Sequence, residues 1–330
     1  MRFTLIVSLA AVLTVPCTHL ALRVCTQRCA WRCADGGPRP CQDDWSGHRA
    51  EASIDDENIH RRLVDEGVRL IDACRTTPGK TLIQQLSRSA AACQVSPADP
   101  ALLRAADPAH ESRESVVVVS GLYRCRRCAH WHAGTASGFV LAPNGIVVTN
   151  HHVVNDPDFE AIVVMTADGR VLPVVEVLAA NRAQDLAILK VPADDLVAIP
   201  VAASHAAAPV GAPITVISHP DGQYFCCTAG IVSRYVRTRE AGEVVDEVSI
   251  TADYARGSSG APVLNSRGQV VGIVKSTESV YYSESGQQQR DLQMVFKKCV
   301  PAHALWQLIK TTGPPDATVT ADPRAGAADT

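Results

Sequence analysis

The chain reads as mainly β, preceded by a small cysteine-rich helical segment. Three observations carry this expectation. From Ser115 onward, short apolar, β-branched runs recur at 116–119, 138–142, 146–149, 161–166, 171–177, 186–191 and 214–218, then at 230–236, 248–251, 261–264, 270–274 and 294–296. Between them, Asn144-Gly145, Asp168-Gly169, Asp221-Gly222 and Arg267-Gly268 supply turns that need a left-handed residue. Neither a dinucleotide-type glycine fingerprint nor a strand–helix alternation is present. Many short strands with regular turns argue for antiparallel barrels or a sandwich.

The segment ahead of the strands has a different composition. Met1-Arg2 and the apolar run from Leu5 to Val15 have the proportions of a secretory signal, read here as residues 1–22, and are too short for a spanning helix. Residues 23–114 form the extension. Cys25, Cys29 and Cys33 recur every four residues, which favours one helical face. Asp55-Asp56-Glu57 opens a helix carrying Ile59, Leu63, Val64, Val68, Leu70 and Ile71, and Thr76-Thr77-Pro78-Gly79 breaks it. A second helix is expected over 80–92, a linker over 96–114, a closing helix over 301–310 and a disordered tail over 312–330. The helical pair is expected to be an appendage without chemistry of its own.

Composition limits the function. At 330 residues with 46% hydrophobic content, one large domain with extras or two domains are expected. A net charge of −3 and only 5% aromatics argue against nucleic acid as a partner. No later apolar run is long enough to span a bilayer, so the mature chain is expected without a membrane span. Twelve cysteines suit an exported chain with disulfides.

Three stretches of the β region carry chemistry. Asn150-His151-His152 follows a hairpin, Asp185 opens an apolar strand, and Gly257-Ser258-Ser259-Gly260 is a tight turn. A serine nucleophile needs an exposed hydroxyl on such a turn, an imidazole to take its proton, and a carboxylate to hold the imidazole tautomer. Backbone N–H groups of Gly257 and Ser259 are spaced to bind an oxyanion. Taken singly, each has a bland reading: a structural histidine, a capping aspartate and a Gly/Ser turn.

Together, Ser137-Gly138-Phe139-Val140, Thr149-Asn150-His151-His152-Val153-Val154, Asp185-Leu186-Ala187-Ile188-Leu189-Lys190 and Gly257-Ser258-Ser259-Gly260-Ala261-Pro262 resemble the trypsin-like serine proteases. The likeness is closest to the HtrA/Deg branch and covers about residues 115–300. It implies a chymotrypsin-like fold of two six-stranded β-barrels over 115–311, with the catalytic groups in the cleft between them. It also implies His152 as general base, Asp185 as its orienting carboxylate, Ser259 as nucleophile, and Gly257 and Ser259 as the oxyanion hole. The implied function is exported, cofactor-independent peptide-bond hydrolysis through an acyl-enzyme, acting on protein or peptide substrates. His151 is expected to point away, as a strand neighbour does. Ser258 and Ala261 depart from the branch's usual Asn and Gly. About 30 residues follow the barrel region, too few for the peptide-binding PDZ domain common in this branch. The competing reading is a catalytically silent barrel that acts as a binding module with a structural metal site.

Two further features remain open. Asp253, six residues before Ser259, stands where an acid in trypsin-like enzymes selects Lys or Arg. Cys125-Arg126-Arg127-Cys128-Ala129-His130-Trp131-His132 holds Cys125, Cys128, His130 and His132, a candidate set for structural zinc, with Cys226 or Cys227 as a further donor. Disulfides or plain thiols are the favoured reading there, and a redox pair is the third.

Overall fold

A computed structural model describes residues 53–93, 95, 107–128, 130–203, 208–285 and 288–310. The expected signal segment, Cys25, Cys29, Cys33, Cys41, most of the expected linker and the expected tail lie outside these residues. In chain order the elements are α1 (Asp56–Asp72), α2 (Gly79–Gln85), β1 (Ala91–Ala92), α3 (Pro108–Ser112), β2 (Val116–Arg124), β3 (Trp131–Ala142), β4 (Ile146–Thr149) and α4 (His151–Val154). They continue as β5 (Ala161–Met165), β6 (Val171–Pro173), β7 (Glu176–Asn181), β8 (Leu186–Lys190), β9 (Pro213–Ser218), β10 (Cys226–Glu240) and β11 (Glu243–Ile250). The last are β12 (Pro262–Asn265), β13 (Val270–Ser285), β14 (Gln288–Pro301), α5 (His303–Trp306) and β15 (Ile309–Lys310).

The strands form the two mainly antiparallel halves that the resemblance implies. The first half is a sheet of order β6-β5-β2-β3-β4-β8-β7. Its edge strands, β6 and β7, are consecutive in the chain, separated only by Val174 and Val175. The Val174 N–H bonds the Ile162 carbonyl in β5, and the Val175 N–H bonds the Lys190 carbonyl in β8, both at 2.9 Å. One bent segment therefore serves both edges, and the sheet must roll into a barrel to satisfy it. Counting that segment once gives six strands. The second half is a closed barrel of order β10-β11-β14-β13-β12-β9.

Burial explains why the first strand shows no alternation. Val116, Val117, Val118 and Val119 are all fully buried. Val117 and Val119 pack with Val140, Val147, Val164 and Leu189 inside the first barrel. Val118 packs with Leu63 of α1, and Val116 with Phe139, Ile217 and Leu264 in the cluster shared by the two barrels. A strand covered on both faces loses the period-two pattern.

The two N-terminal helices are built into this scaffold, which corrects the expectation of an appendage. The Asp55 carboxylate caps α1 by accepting the Asn58 N–H at 2.9 Å. Leu63 is fully buried under α1, and Gly67 lets the helix approach β2, since a Cβ there would sit 2.4 Å from Leu122 Cδ1. Leu82 of α2 is fully buried with the first barrel's core. The same region covers the barrel's seam: Thr77 Oγ1 donates to the Val175 carbonyl at 2.8 Å, and the Val177 N–H donates to Gln85 Oε1 at 2.7 Å.

Boundaries differ from the sequence expectation at three places. The second helix stops at Gln85, and Ala91–Ala92 pair in parallel with Ile309–Lys310. The closing helix is shortened to one turn, His303–Trp306, for the same reason. A short helix, α3, stands within the expected linker and is capped by Asp107, whose carboxylate accepts from the Ala109 and His110 N–H groups. Among the described residues, Cys74, Cys93, Cys125, Cys128, Cys226 and Cys299 carry no disulfide.

The integration of α2 is testable. Leu82→Ala should lower unfolding free energy by about 2–5 kcal/mol in denaturant titrations, the cost of a large cavity in a closed core. A change below about 1 kcal/mol would mean that α2 is merely appended.

Candidate active site

The site is assembled where β4 ends. Thr149 closes the strand, Asn150 is extended (φ −83°, ψ 154°), and residues 151–154 make one helical turn. His151 and His152 therefore diverge as helical neighbours rather than as strand neighbours, which corrects the reason given for their separation. His151 is buried, and that burial pulls its pKa below the usual histidine range. The His152 side chain stays half exposed.

Asp185 meets His152 twice. Its Oδ2 lies 2.8 Å from His152 Nδ1, and its Oδ1 accepts the His152 backbone N–H at 3.0 Å. A carboxylate partner places the proton on Nδ1 and leaves Nε2 with its lone pair, the tautomer a general base needs. Asp185 adopts φ +56°, a left-handed conformation that costs a non-glycine residue on the order of 1–2 kcal/mol. Asn150 supports it, donating from Nδ2 to the Asp185 carbonyl at 2.8 Å. Sequence reasoning quoted Asn150 within a motif without giving it this role.

Ser259 sits on a turn whose flanking glycines are both left-handed, Gly257 at φ +95° and Gly260 at φ +86°. A Cβ at Gly257 would lie 2.4 Å from the His219 carbonyl, and one at Gly260 would lie 2.2 Å from the Ser137 carbonyl. Close backbone approach and positive φ together exclude other residues at both positions. Among the described residues neither the Gly257 N–H nor the Ser259 N–H has a hydrogen-bond partner. The Ser259 hydroxyl makes a long bond to the Lys275 carbonyl at 3.5 Å. The substituted positions fit locally: Ser258 is fully buried and its Oγ accepts from Ser218 Oγ at 3.0 Å, while Ala261 is fully buried.

Ser137 and His219 hold this turn, and sequence reasoning missed both roles. Ser137 receives the turn through its N–H to the Ser259 carbonyl (2.9 Å) and its Oγ to the Gly257 carbonyl (2.9 Å). The His219 N–H donates to Ser137 Oγ at 3.1 Å. The His219 ring is fully buried, edge-on to Phe225, and its Nδ1 accepts the Phe225 N–H at 3.0 Å. Burial pushes its pKa down to about 4, so it is neutral at pH 7.

His152, Ser259 and Gly257 face one cleft of about 740 Å³. Tyr123 and Phe159 also line it. So do Asp56, Glu57 and His60 from the first turns of α1, a contribution the sequence did not signal. Asp56 is fixed there by accepting the Tyr224 N–H at 2.9 Å.

The remaining candidates fall elsewhere. Asp253 is not on the cleft. Its side chain is 88% exposed and pairs with Lys297 Nζ at 3.3 Å, facing a separate cavity with Thr251 and Phe296. The structure thus does not bring Asp253 to the cleft that holds Ser259, where its expected role in selecting Lys or Arg would place it. Cys125, Cys128 and His132 converge with one another, whereas His130, Cys226 and Cys227 are not in that group.

Comparison with known proteins finds these similarities. Residues 136–273 match the family described as trypsin-like peptidase domain. A protein of Hahella chejuensis named "Probable periplasmic serine endoprotease DegP-like" is 36% identical over 152 residues, 46% of this chain and 31% of that protein. A protein of the same name from Brucella suis is 36% identical over 151 residues, 46% of this chain and 28% of that one. The chain thus spans about a third of the length of these relatives. A crystal structure of the serine endoprotease from Yersinia pestis superposes with a TM-score of 0.45 at 22% identity, covering 61% of this chain and 63% of that one.

The buried His219 gives a pH signature. An unfolded histidine titrates near 6.5 and this one near 4, so between those values the unfolded state binds the extra proton. Stability should fall by about 3 kcal/mol from this residue as pH drops from about 6.5 to about 4. His219→Asn, which keeps an acceptor for the Phe225 N–H, should remove that part of the slope in denaturant titrations across pH. An unchanged slope would place His219 in contact with water.

Proposed function

From the match of residues 136–273 to the trypsin-like peptidase domain and the similarity to proteins named DegP-like, we propose that this chain is an exported serine endopeptidase. The observation that carries the reading is the two-point contact of Asp185 with His152 in the cleft that also holds Ser259.

Ser259 attacks the scissile carbonyl, and His152 Nε2 takes the hydroxyl proton. Asp185 holds the Nδ1–H tautomer and stabilises the imidazolium. The Gly257 and Ser259 N–H groups receive the oxyanion. His152 then returns the proton to the leaving amine, and water repeats the sequence to free the acyl group. The proposed steps use protein groups and water and call on no cofactor. Substrates are proteins or peptides. Among the described residues no helix is long and apolar enough to cross a membrane.

The cleft also favours one kind of substrate. Asp56, Glu57 and Asp156 line it, while the only guanidinium lining it among the described residues, that of Arg256, is paired with Asp221 at 3.1 Å. An acidic wall beside the bond to be cleaved attracts lysine or arginine side chains, at about 0.5–1 kcal/mol per rim charge.

Peptide-library cleavage tests both points. Wild type should cut peptide bonds, with basic residues enriched on the α1 side of the cut. Ser259→Ala and His152→Ala should each lower turnover by about 10⁴-fold or more. Glu57→Gln should weaken the basic preference and leave turnover of neutral peptides intact. A folded wild-type protein without turnover would favour the binding-module reading. Turnover without basic enrichment would remove only the role of α1.

A further inference from the structure

Away from the nucleophile, one group of side chains converges without a part in peptide hydrolysis. It lies at the tip of the β2–β3 hairpin. The last pair of that ladder is Arg124 with Trp131, and the Cys125 N–H closes the loop onto the His130 carbonyl at 3.0 Å. Within the tip, Cys125 Sγ, Cys128 Sγ and a ring nitrogen of His132 all lie within 4.8 Å of one another. Cys128 Sγ stands 3.0 Å from His132 Nε2. The Cys-x-x-Cys turn folds both sulfurs to one side, and the return strand brings in the imidazole from four residues on.

Two observations distinguish this from incidental proximity. The Arg127 backbone N–H points at Cys125 Sγ, 3.4 Å away. The third group is an imidazole whose Nε2, rather than a carbon edge, is turned to the sulfur of Cys128. Two thiolates and one imidazole are the donor set of a borderline-soft, tetrahedral cation.

We propose that Cys125, Cys128 and His132 bind one Zn²⁺ at the hairpin tip. The two thiols lose their protons to solvent on binding, and their charge balances that of the ion. No electron transfer is involved. Three protein ligands leave one tetrahedral position for water or an external donor. His130 is not a ligand, and this narrows the four-residue set that the sequence offers.

The location gives the site a structural consequence. The His132 ring stacks on Tyr123 with centroids 5.6 Å apart and planes 22° apart, and Tyr123 stacks on Phe159 at 6.3 Å. Tyr123 and Phe159 both line the catalytic cleft. A metal that fixes His132 therefore also fixes a wall of that cleft.

The test uses the full chain, reduced and stripped of metal, then titrated with Co²⁺ as a spectroscopic probe and back-titrated with Zn²⁺. Wild type should show a thiolate-to-cobalt band and hold one more metal per chain than Cys125→Ser/Cys128→Ser. Cysteines elsewhere in the chain make this difference, rather than the total, the decisive number. His132→Ala should weaken Zn²⁺ binding at this site by at least about 10-fold, and His130→Ala should leave it unchanged. Circular dichroism of each metal-free variant checks that the fold is kept. Equal metal content in wild type and the double serine variant would overturn the proposal. So would a Cys125–Cys128 disulfide in the protein as isolated that persists in the presence of Zn²⁺.

Discussion

Strand β3 grips the nucleophile turn at Ser137, and the active site depends on that grip. Ser137 offers a backbone N–H, a carbonyl and a hydroxyl, and all three are used. The N–H holds the Ser259 carbonyl, the hydroxyl holds the Gly257 carbonyl, and the carbonyl receives Thr149 Oγ1 at 2.8 Å. Ser259 belongs to the second barrel and His152 follows β4 of the first. Ser137 and Thr149, both fully buried, thus tie the two halves together beside the residues that must meet. Hydrogen bonds in such a dry setting are costly to leave unmade, so the turn has little freedom to drift. Gly260 is forced by the same contact, since a side chain would collide with the Ser137 carbonyl and Thr149.

The N-terminal helices extend this arrangement rather than decorating it. The first barrel closes through the bent segment at Val174 and Val175, which shares its bonds between the two edges of the sheet. Thr77, Gln85 and Arg88 bond to that segment or to its continuation in β7, so α2 and the chain after it protect the seam. The helix α1 lies against β2 through Leu63 and carries Asp56 and Glu57 to the cleft. Packing and the lining of the cleft are thus coupled in α1. The buried leucine sets the position of the helix, and its acidic first turn, suited to a helix N-terminus, becomes a wall of the cleft.

Much of this was legible in the sequence, for physical reasons that differ by element. Strand β4 was read to its residue because it is a short apolar run between a turn and a polar motif. The contact of Asp185 with His152 was legible because an imidazole of this kind calls for a carboxylate partner, and few residue types supply one. The Ala91–Ala92 pairing was not, since a two-residue parallel bridge leaves no pattern and helix propensity favours alanine. The roles of Ser137 and His219 were hidden because they depend on contacts between distant segments. Spacing from Ser259 says nothing about which way the Asp253 side chain turns. Here it pairs with Lys297 of β14 and lines a cavity without Ser259. The Cys/His motif was visible, but only the hairpin register separates His132 from His130.

The central claim is that Ser259 is an activated nucleophile whose reactivity comes from His152. Labelling with a fluorophosphonate, with the adduct located by peptide mass spectrometry, tests that claim most directly. The account predicts a single adduct on Ser259 in wild type and its disappearance in His152→Ala, with the fold of the variant unchanged. No adduct on folded wild-type protein, or equal labelling of Ser259 with and without the imidazole, would contradict it.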